Sequence, residues 1–303
     1  MRFSTRKPFF LITANDIIMS LFYSRGQALT SVRDRQIRER FMARKIVVTS
    51  GKGGVGKTSV AANLGIRLSR ASKRVCIVDA DFGLNNLDVV TGIENLVVYD
   101  IADCVAGRCR AKQALVECPS AKNVYILPSV HSLSKYSVDE NGVNELIEGF
   151  SSLFDYVIID CPAGVGEGFS LAVKAAEEAL VVTTPQLSSL RDADKVLSFL
   201  RGYGIKSIRL VVNRIRGDLV VGGDMLSPEE IERTLRCPLA GVIPDDDNVF
   251  LRNAGLIPSD SPSFKAFKIL AANVASGKSK IYDYVSRYSG FWGAIRRGIK
   301  RNI

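Results

Sequence analysis

The sequence predicts an α/β fold: a mostly parallel β-sheet flanked by helices on both faces. Three observations carry this. Short apolar runs alternate with longer amphipathic segments, as in strand–helix repeats. The runs are continuous rather than alternating, as in strands covered on both faces. A glycine-rich turn stands where the first run gives way to the first amphipathic segment.

Strands are predicted at residues 45–50, 74–79, 124–128, 156–160, 179–184, 208–213 and 241–244. Helices are predicted at 57–70, 138–153, 169–176, 188–202, 228–235 and 263–284. The start at 228 is well signalled, with Ser227 as cap, Pro228 at the first position and Glu230 three residues after the cap. No internal repeat or low-complexity linker interrupts the series. The expected organisation is a basic extension at 1–41, one domain at 42–286 and a short tail at 287–303.

Composition is that of an ordinary globular chain. Of 303 residues, 47% are hydrophobic and 24% charged, which excludes wholesale disorder. No apolar run reaches the roughly 20 residues of a spanning helix, which argues against an integral membrane protein. The net charge of +10 is concentrated at the ends. Residues 1–41 carry +5, residues 291–303 carry +4, and the long body between carries only +1. A nucleic-acid surface spread over the domain is therefore not expected.

The extension has an apolar stretch, 8–23, broken by Asn15-Asp16, with no clear cleavage site after it. It reads as a disordered arm, a targeting segment, or frame upstream of a start at Met42. The six cysteines lack zinc-site spacing and read as reduced thiols. The single histidine, His131, has no partner pattern.

Gly51-Lys52-Gly53-Gly54-Val55-Gly56-Lys57-Thr58 follows a predicted strand and opens a predicted helix. Glycines let a backbone turn and present N–H groups to phosphates, and a helix N-terminus adds its positive end. At that spacing Lys57 suits β- and γ-phosphates, and the Thr58 hydroxyl suits Mg²⁺. Asp79 and Asp81 follow one strand and Asp160 ends another, all at the strand ends where ligands bind in such sheets. Asn213-Arg214 and Pro244-Asp245 stand on the same edge.

The pattern K-G-G-x-x-G-K-[ST] at 52–58 resembles the deviant Walker A ATPases, a group of P-loop NTPases. The resemblance implies a nucleotide-sandwich homodimer, with Lys57 acting on its own subunit's ATP and Lys52 reaching the partner's. The run Val78-Asp79-Ala80-Asp81-Phe82-Gly83-Leu84-Asn85-Asn86-Leu87-Asp88 is similar to the family's switch I. Asp81 would then orient the attacking water and Asp79 would serve Mg²⁺ or its waters. Asp160-Cys161-Pro162-Ala163-Gly164 looks like Walker B and switch II, and the loops at 213–214 and 244–245 would hold adenine.

At about 100° per residue, Phe291, Trp292, Ile295, Ile299 and Ile303 fall on one helical face of the tail. Arg296, Arg297, Lys300 and Arg301 fall on the other. That is the composition of a helix lying in an anionic membrane interface. With the tail and Asn86-Leu87-Asp88, the chain resembles the MinD family, ATPases that position bacterial and plastid division sites. The resemblance implies ATP and Mg²⁺, the partners MinC and MinE, and a peripheral place on the inner face of a cytoplasmic or plastid membrane. Within the same superfamily the alternatives are a ParA-type partition ATPase and a flagellar-number regulator. A reductase like the nitrogenase iron protein is disfavoured by the context of the cysteines.

Overall fold

The structure, a computed structural model, describes residues 42–82, 86–130, 139–290 and 293. The extension 1–41, Gly83-Leu84-Asn85, His131 and the tail residues expected to bind membrane, Phe291, Trp292, Ile295, Arg296, Arg297, Ile299, Lys300, Arg301 and Ile303, lie outside the described residues.

The apolar runs pair into one eight-stranded sheet. The strands are β1 (Arg44–Ser50), β2 (Val75–Asp79), β3 (Val116–Glu117), β4 (Val124–Leu127), β5 (Tyr156–Ala163), β6 (Glu178–Thr183), β7 (Ser207–Ile215) and β8 (Leu239–Pro244). Their order is β3-β4-β2-β5-β1-β6-β7-β8. All neighbours are parallel except the edge strand β3, which runs antiparallel to β4.

Successive side chains of each strand feed opposite cores, which explains why the runs are continuously apolar. Ile46 and Val48 point into one cluster with α1 (Lys57–Ser69) and α11 (Pro262–Ser276). Val47 points into the other. That second core is covered by α5 (Glu140–Phe150), α6 (Glu167–Lys174), α7 (Leu187–Gly202) and α9 (Pro228–Leu235). The short α2 (Asn86–Thr91), α3 (Ile101–Val105), α4 (Ala111–Ala114), α8 (Gly217–Gly222) and α10 (Asn248–Leu251) lie in the connections.

Topology places the site. The chain leaving β1 passes through α1 to β2 on one flank of the sheet. The chain leaving β5 passes through α6 to β6 on the other flank. That reversal opens a crevice at the C-terminal end of β1.

The helix expected over 263–284 ends instead at Ser276. Gly277 takes φ 71° and its N–H closes on the Asn273 carbonyl, a left-handed stop. The residues beyond are apolar because they pack, not because they are helical: Tyr284 is buried and Ile281, Tyr282 and Val285 lie against the core. The strand β3 and the five short helices were not anticipated. They are too brief for periodicity to resolve.

Arg67 on α1 is an internal anomaly. It is only 5% exposed, and its guanidinium nitrogens have no hydrogen-bond partner among the described residues. It stacks on Phe264 with 3.8 Å from Cζ to the ring centroid. Burial, and then the charge of Arg70, lower its pKa to about 10, so it stays charged at neutral pH. Arg67→Met keeps the stem, removes the desolvated charge and loses a cation–π contact of about 0.5–2 kcal/mol. The expected result is an unchanged or higher urea midpoint at pH 7. A midpoint lower by the equivalent of about 2 kcal/mol or more would show that the stacking outweighs desolvation.

Candidate functional site

The loop between β1 and α1 is shaped by its glycines. Gly54 and Gly56 take φ 75° and 98°, conformations that L side chains rarely adopt. Gly56 stands at the helix cap. Added Cβ atoms at Gly53 and Gly54 would meet nothing within 4 Å, so this stretch of backbone is open. Gly51 is the reverse case. A Cβ there would lie 2.2 Å from the Asp192 carbonyl on α7, so only glycine lets that helix close on the loop. From below, Asn213 Nδ2 donates to the Val55 carbonyl at 2.8 Å.

The two lysines behave differently. Lys57 is 7% exposed, at the first position of α1. Lys52 is exposed, and its Nζ donates to Ser188 Oγ at 3.2 Å, on the first turn of α7. It therefore rests on the start of α7 in solvent rather than being buried like Lys57.

Sheet order brings the carboxylates together. Asp79 ends β2 in direct register with Asp160 on β5. Both are nearly inaccessible, at 2% and 1%. Burial pushes the Asp160 carboxyl up to about 7, opposed by a hydrogen bond from the Thr58 hydroxyl and by the charge of Lys57. Burial, and next the charge of Asp160, hold Asp79 well above the usual carboxylate range. Asp81 stands beside them. Its N–H donates to Asp79 Oδ1 at 3.0 Å, and its carbonyl accepts from Ser129 Oγ at 3.2 Å.

This arrangement fits a hard divalent cation with a phosphorylated ligand. Asp160 Oδ1 is buried without a hydrogen-bond partner among the described residues. No group of three His, Cys, Asp or Glu side chains among those residues could hold a metal by itself. Mg²⁺ is commonly bound through one or two protein oxygens, with phosphate and water completing its shell.

The loops after β7 and β8 border a cavity of about 470 Å³ that takes in Pro244 and Asp245 together with Arg216, Tyr282 and Tyr288. Arg214 takes φ 59° beside it in sequence. Asn213 is not part of that lining, because its amide braces the phosphate loop.

The cavity floor is pinned by Asp246, which accepts from the Ser261 and Ser263 hydroxyls, the Ser263 N–H and both nitrogens of Asn248. These hydrogen bonds outweigh burial and hold its pKa below the ordinary value. Stability from a lowered carboxylate pKa is present above the unfolded value, about 3.9, and is lost as pH falls through the folded one. Asp246→Asn should melt below the parent at pH 7. The gap should narrow once pH drops below about 4. A gap that stayed constant down to acid pH would mean that the carboxylate charge is not what matters.

A family model described as "ParA: NUBPL iron-transfer P-loop NTPase" matches residues 42–217. The septum site-determining protein MinD of Synechocystis is 41% identical over 261 residues, covering 84% of this chain and 98% of its own. The chain belongs to the MinD family of P-loop ATPases.

Solved structures agree. The MinC:MinD cell division protein complex of Aquifex aeolicus superposes with a TM-score of 0.72 at 37% identity, over 78% of this chain and 97% of that one. MinD of Pyrococcus horikoshii complexed with Mg-ADP gives 0.70 at 32%, over 78% and 97%. As a MinD-family protein the chain is an ATPase that uses ATP and Mg²⁺ and acts in choosing the division site. Among its described residues, no helix is long and apolar enough to cross a membrane.

Sequence reasoning placed Gly51 to Thr58, Asp79, Asp81 and Asp160 on one edge, and the structure brings them together. It missed Ser188, Ser129 and the α7 backbone at Asp192. Ser188 was visible only as the start of a predicted helix. Nothing local showed that this helix closes on the loop.

Proposed function

We propose that this MinD-family ATPase works as a nucleotide-gated membrane switch, a homodimer when ATP-bound, with Lys52 acting across the dimer. The observation that carries it is the position of Lys52, exposed on the rim and resting on Ser188. Exposed apolar residues flank it. Leu187 precedes Ser188 and is 77% exposed, and Val165 follows Gly164, whose N–H bonds the Ser50 carbonyl at the loop's base. A charged residue in solvent, beside uncovered apolar side chains, suits a face completed by a second copy.

The residues divide the work. The amides of Gly51, Gly53, Gly54, Val55 and Gly56 bind phosphate oxygens, with Lys57 beside them as the resident cation. Thr58, Asp160 and Asp79 hold Mg²⁺ directly or through water. When bound, that ion neutralises charge on the β- and γ-phosphates. Asp81 orients the attacking water, its main chain fixed by Asp79 and Ser129. Arg214, Pro244 and Asp245 form the nucleoside side, with Asn213 supporting the loop.

The tail carries the output. Two tails on an ATP-bound dimer bind anionic lipid far better than one. Hydrolysis opens the dimer and releases it. On this reading the chain is peripheral on the inner face of a cytoplasmic or plastid membrane. A MinC-type inhibitor is its effector, as the Aquifex complex suggests, and a MinE-type regulator stimulates turnover.

The test is subunit mixing. Lys52→Ala and Asp81→Asn homodimers should each be nearly inactive. In the mixed dimer, the Lys52→Ala subunit keeps its own Asp81 and receives Lys52 from its partner, so activity should return. Additive inactivity on mixing would place Lys52 in its own subunit's site and remove the trans arrangement.

A further inference from the structure

Four of the six cysteines are sealed. Cys76, Cys118, Cys161 and Cys237 are at most 4% exposed. The other two stand apart from the nucleotide site and are part-exposed. Cys104 lies on the last turn of α3, and Cys109 lies beyond a tight turn. Gly107 makes the turn with φ 70°, its N–H bonded to the Cys104 carbonyl at 3.0 Å. Arg108 fixes it from outside, with its N–H on the Asp103 carbonyl and its Nε 2.7 Å from Asp103 Oδ1. The chain therefore folds back, and the two sulfurs meet at 3.4 Å.

We propose that Cys104 and Cys109 are a reversible dithiol, a modification site that closes to an intramolecular disulfide with small-molecule or protein disulfides. Bringing two thiols together is the larger entropic obstacle to a disulfide, and here the fold has already met it. Sulfurs in van der Waals contact need only a small side-chain rotation to reach bonding distance, about 2.05 Å. Cys109 is the entry point. It lies on the turn outside α3, whereas Cys104 is held within that helix. Cys104, part-buried against the same core as Cys109, is then the resolving thiol.

The exchange balances. The Cys109 thiolate attacks one sulfur of an oxidised disulfide, breaking that S–S bond and releasing one thiolate. Cys104 gives up its proton and attacks the Cys109 sulfur of the mixed disulfide, releasing the second thiolate. The protein loses two electrons and two protons, and the oxidant becomes two thiols.

The experiment uses the folded full-length chain with oxidised glutathione, quenched in acid and read by peptide mass mapping. The expected product is a single peptide pair joined through Cys104 and Cys109, two hydrogens lighter, reopened by dithiothreitol. Cys104→Ser should halt at glutathione on Cys109. Two free thiols after prolonged exposure, or separate glutathione adducts on both cysteines in the parent protein, would overturn the proposal. So would an equal yield of disulfides through Cys76, Cys118, Cys161 or Cys237, because unfolding rather than this geometry would then supply the reactive sulfurs.

Discussion

Lys57→Met is expected to lower ATP turnover by about a hundred- to a thousandfold, the usual cost of removing one preorganised charge from a phosphoryl-transfer site. Two losses combine. The variant removes the buried cation beside the open glycine loop, where the phosphates are expected. It also removes the charge that draws the Asp160 carboxyl down. Asp160 is already held near 7 by burial, so without Lys57 less of it is ionised at neutral pH, and Mg²⁺ is held less well. The methionine keeps the stem packed, so thermal unfolding without nucleotide should change little. Steady-state phosphate release and nucleotide binding by calorimetry check both parts. Turnover within tenfold of the parent would mean that Lys57 does not contact the transferred phosphate.

Ending the chain at Ser289 is expected to abolish ATP-dependent binding to anionic vesicles. The removed residues include Arg296, Arg297, Lys300 and Arg301. At about 1 kcal/mol for each cation near an anionic surface, their loss weakens one tail by roughly a thousandfold before the apolar face is counted. Phe291, Trp292, Ile295, Ile299 and Ile303 add buried area, and a dimer would lose both tails. The measurement is co-sedimentation with anionic liposomes in ATP and in ADP, for the full chain and the truncated one. Pelleting in ATP alone, lost on truncation, is the expected pattern. It should also weaken with salt, because surface charge is screened. Retained pelleting after truncation would move the anchor elsewhere, with the basic residues of 1–41 as the next place to look. Equal pelleting in ADP would keep an anchor but remove the switch.

The sequence by itself determined the seven parallel strands, the phosphate loop and the residue types at each strand end. These are local facts. A strand covered on both faces must be continuously apolar, and a loop whose amides face phosphates needs glycine at Gly54 and Gly56. The helix stop at Gly277 was not read from the sequence, because the apolar residues after it extend the helical pattern. What only tertiary structure decided is which ends meet. Asp79 faces Asp160 because β5 inserts beside β2, and no spacing between them foretells that. Asn213 holds a loop 158 residues away, and Lys52 rests on a serine 136 residues on. Gly51 is glycine because α7 closes on it, a reason invisible until the helix is in place. The physical reason is common to all four. Strand order and helix closure are set by the summed burial of two cores, one on each face of the sheet. A site built across that sheet inherits its geometry from all of them at once.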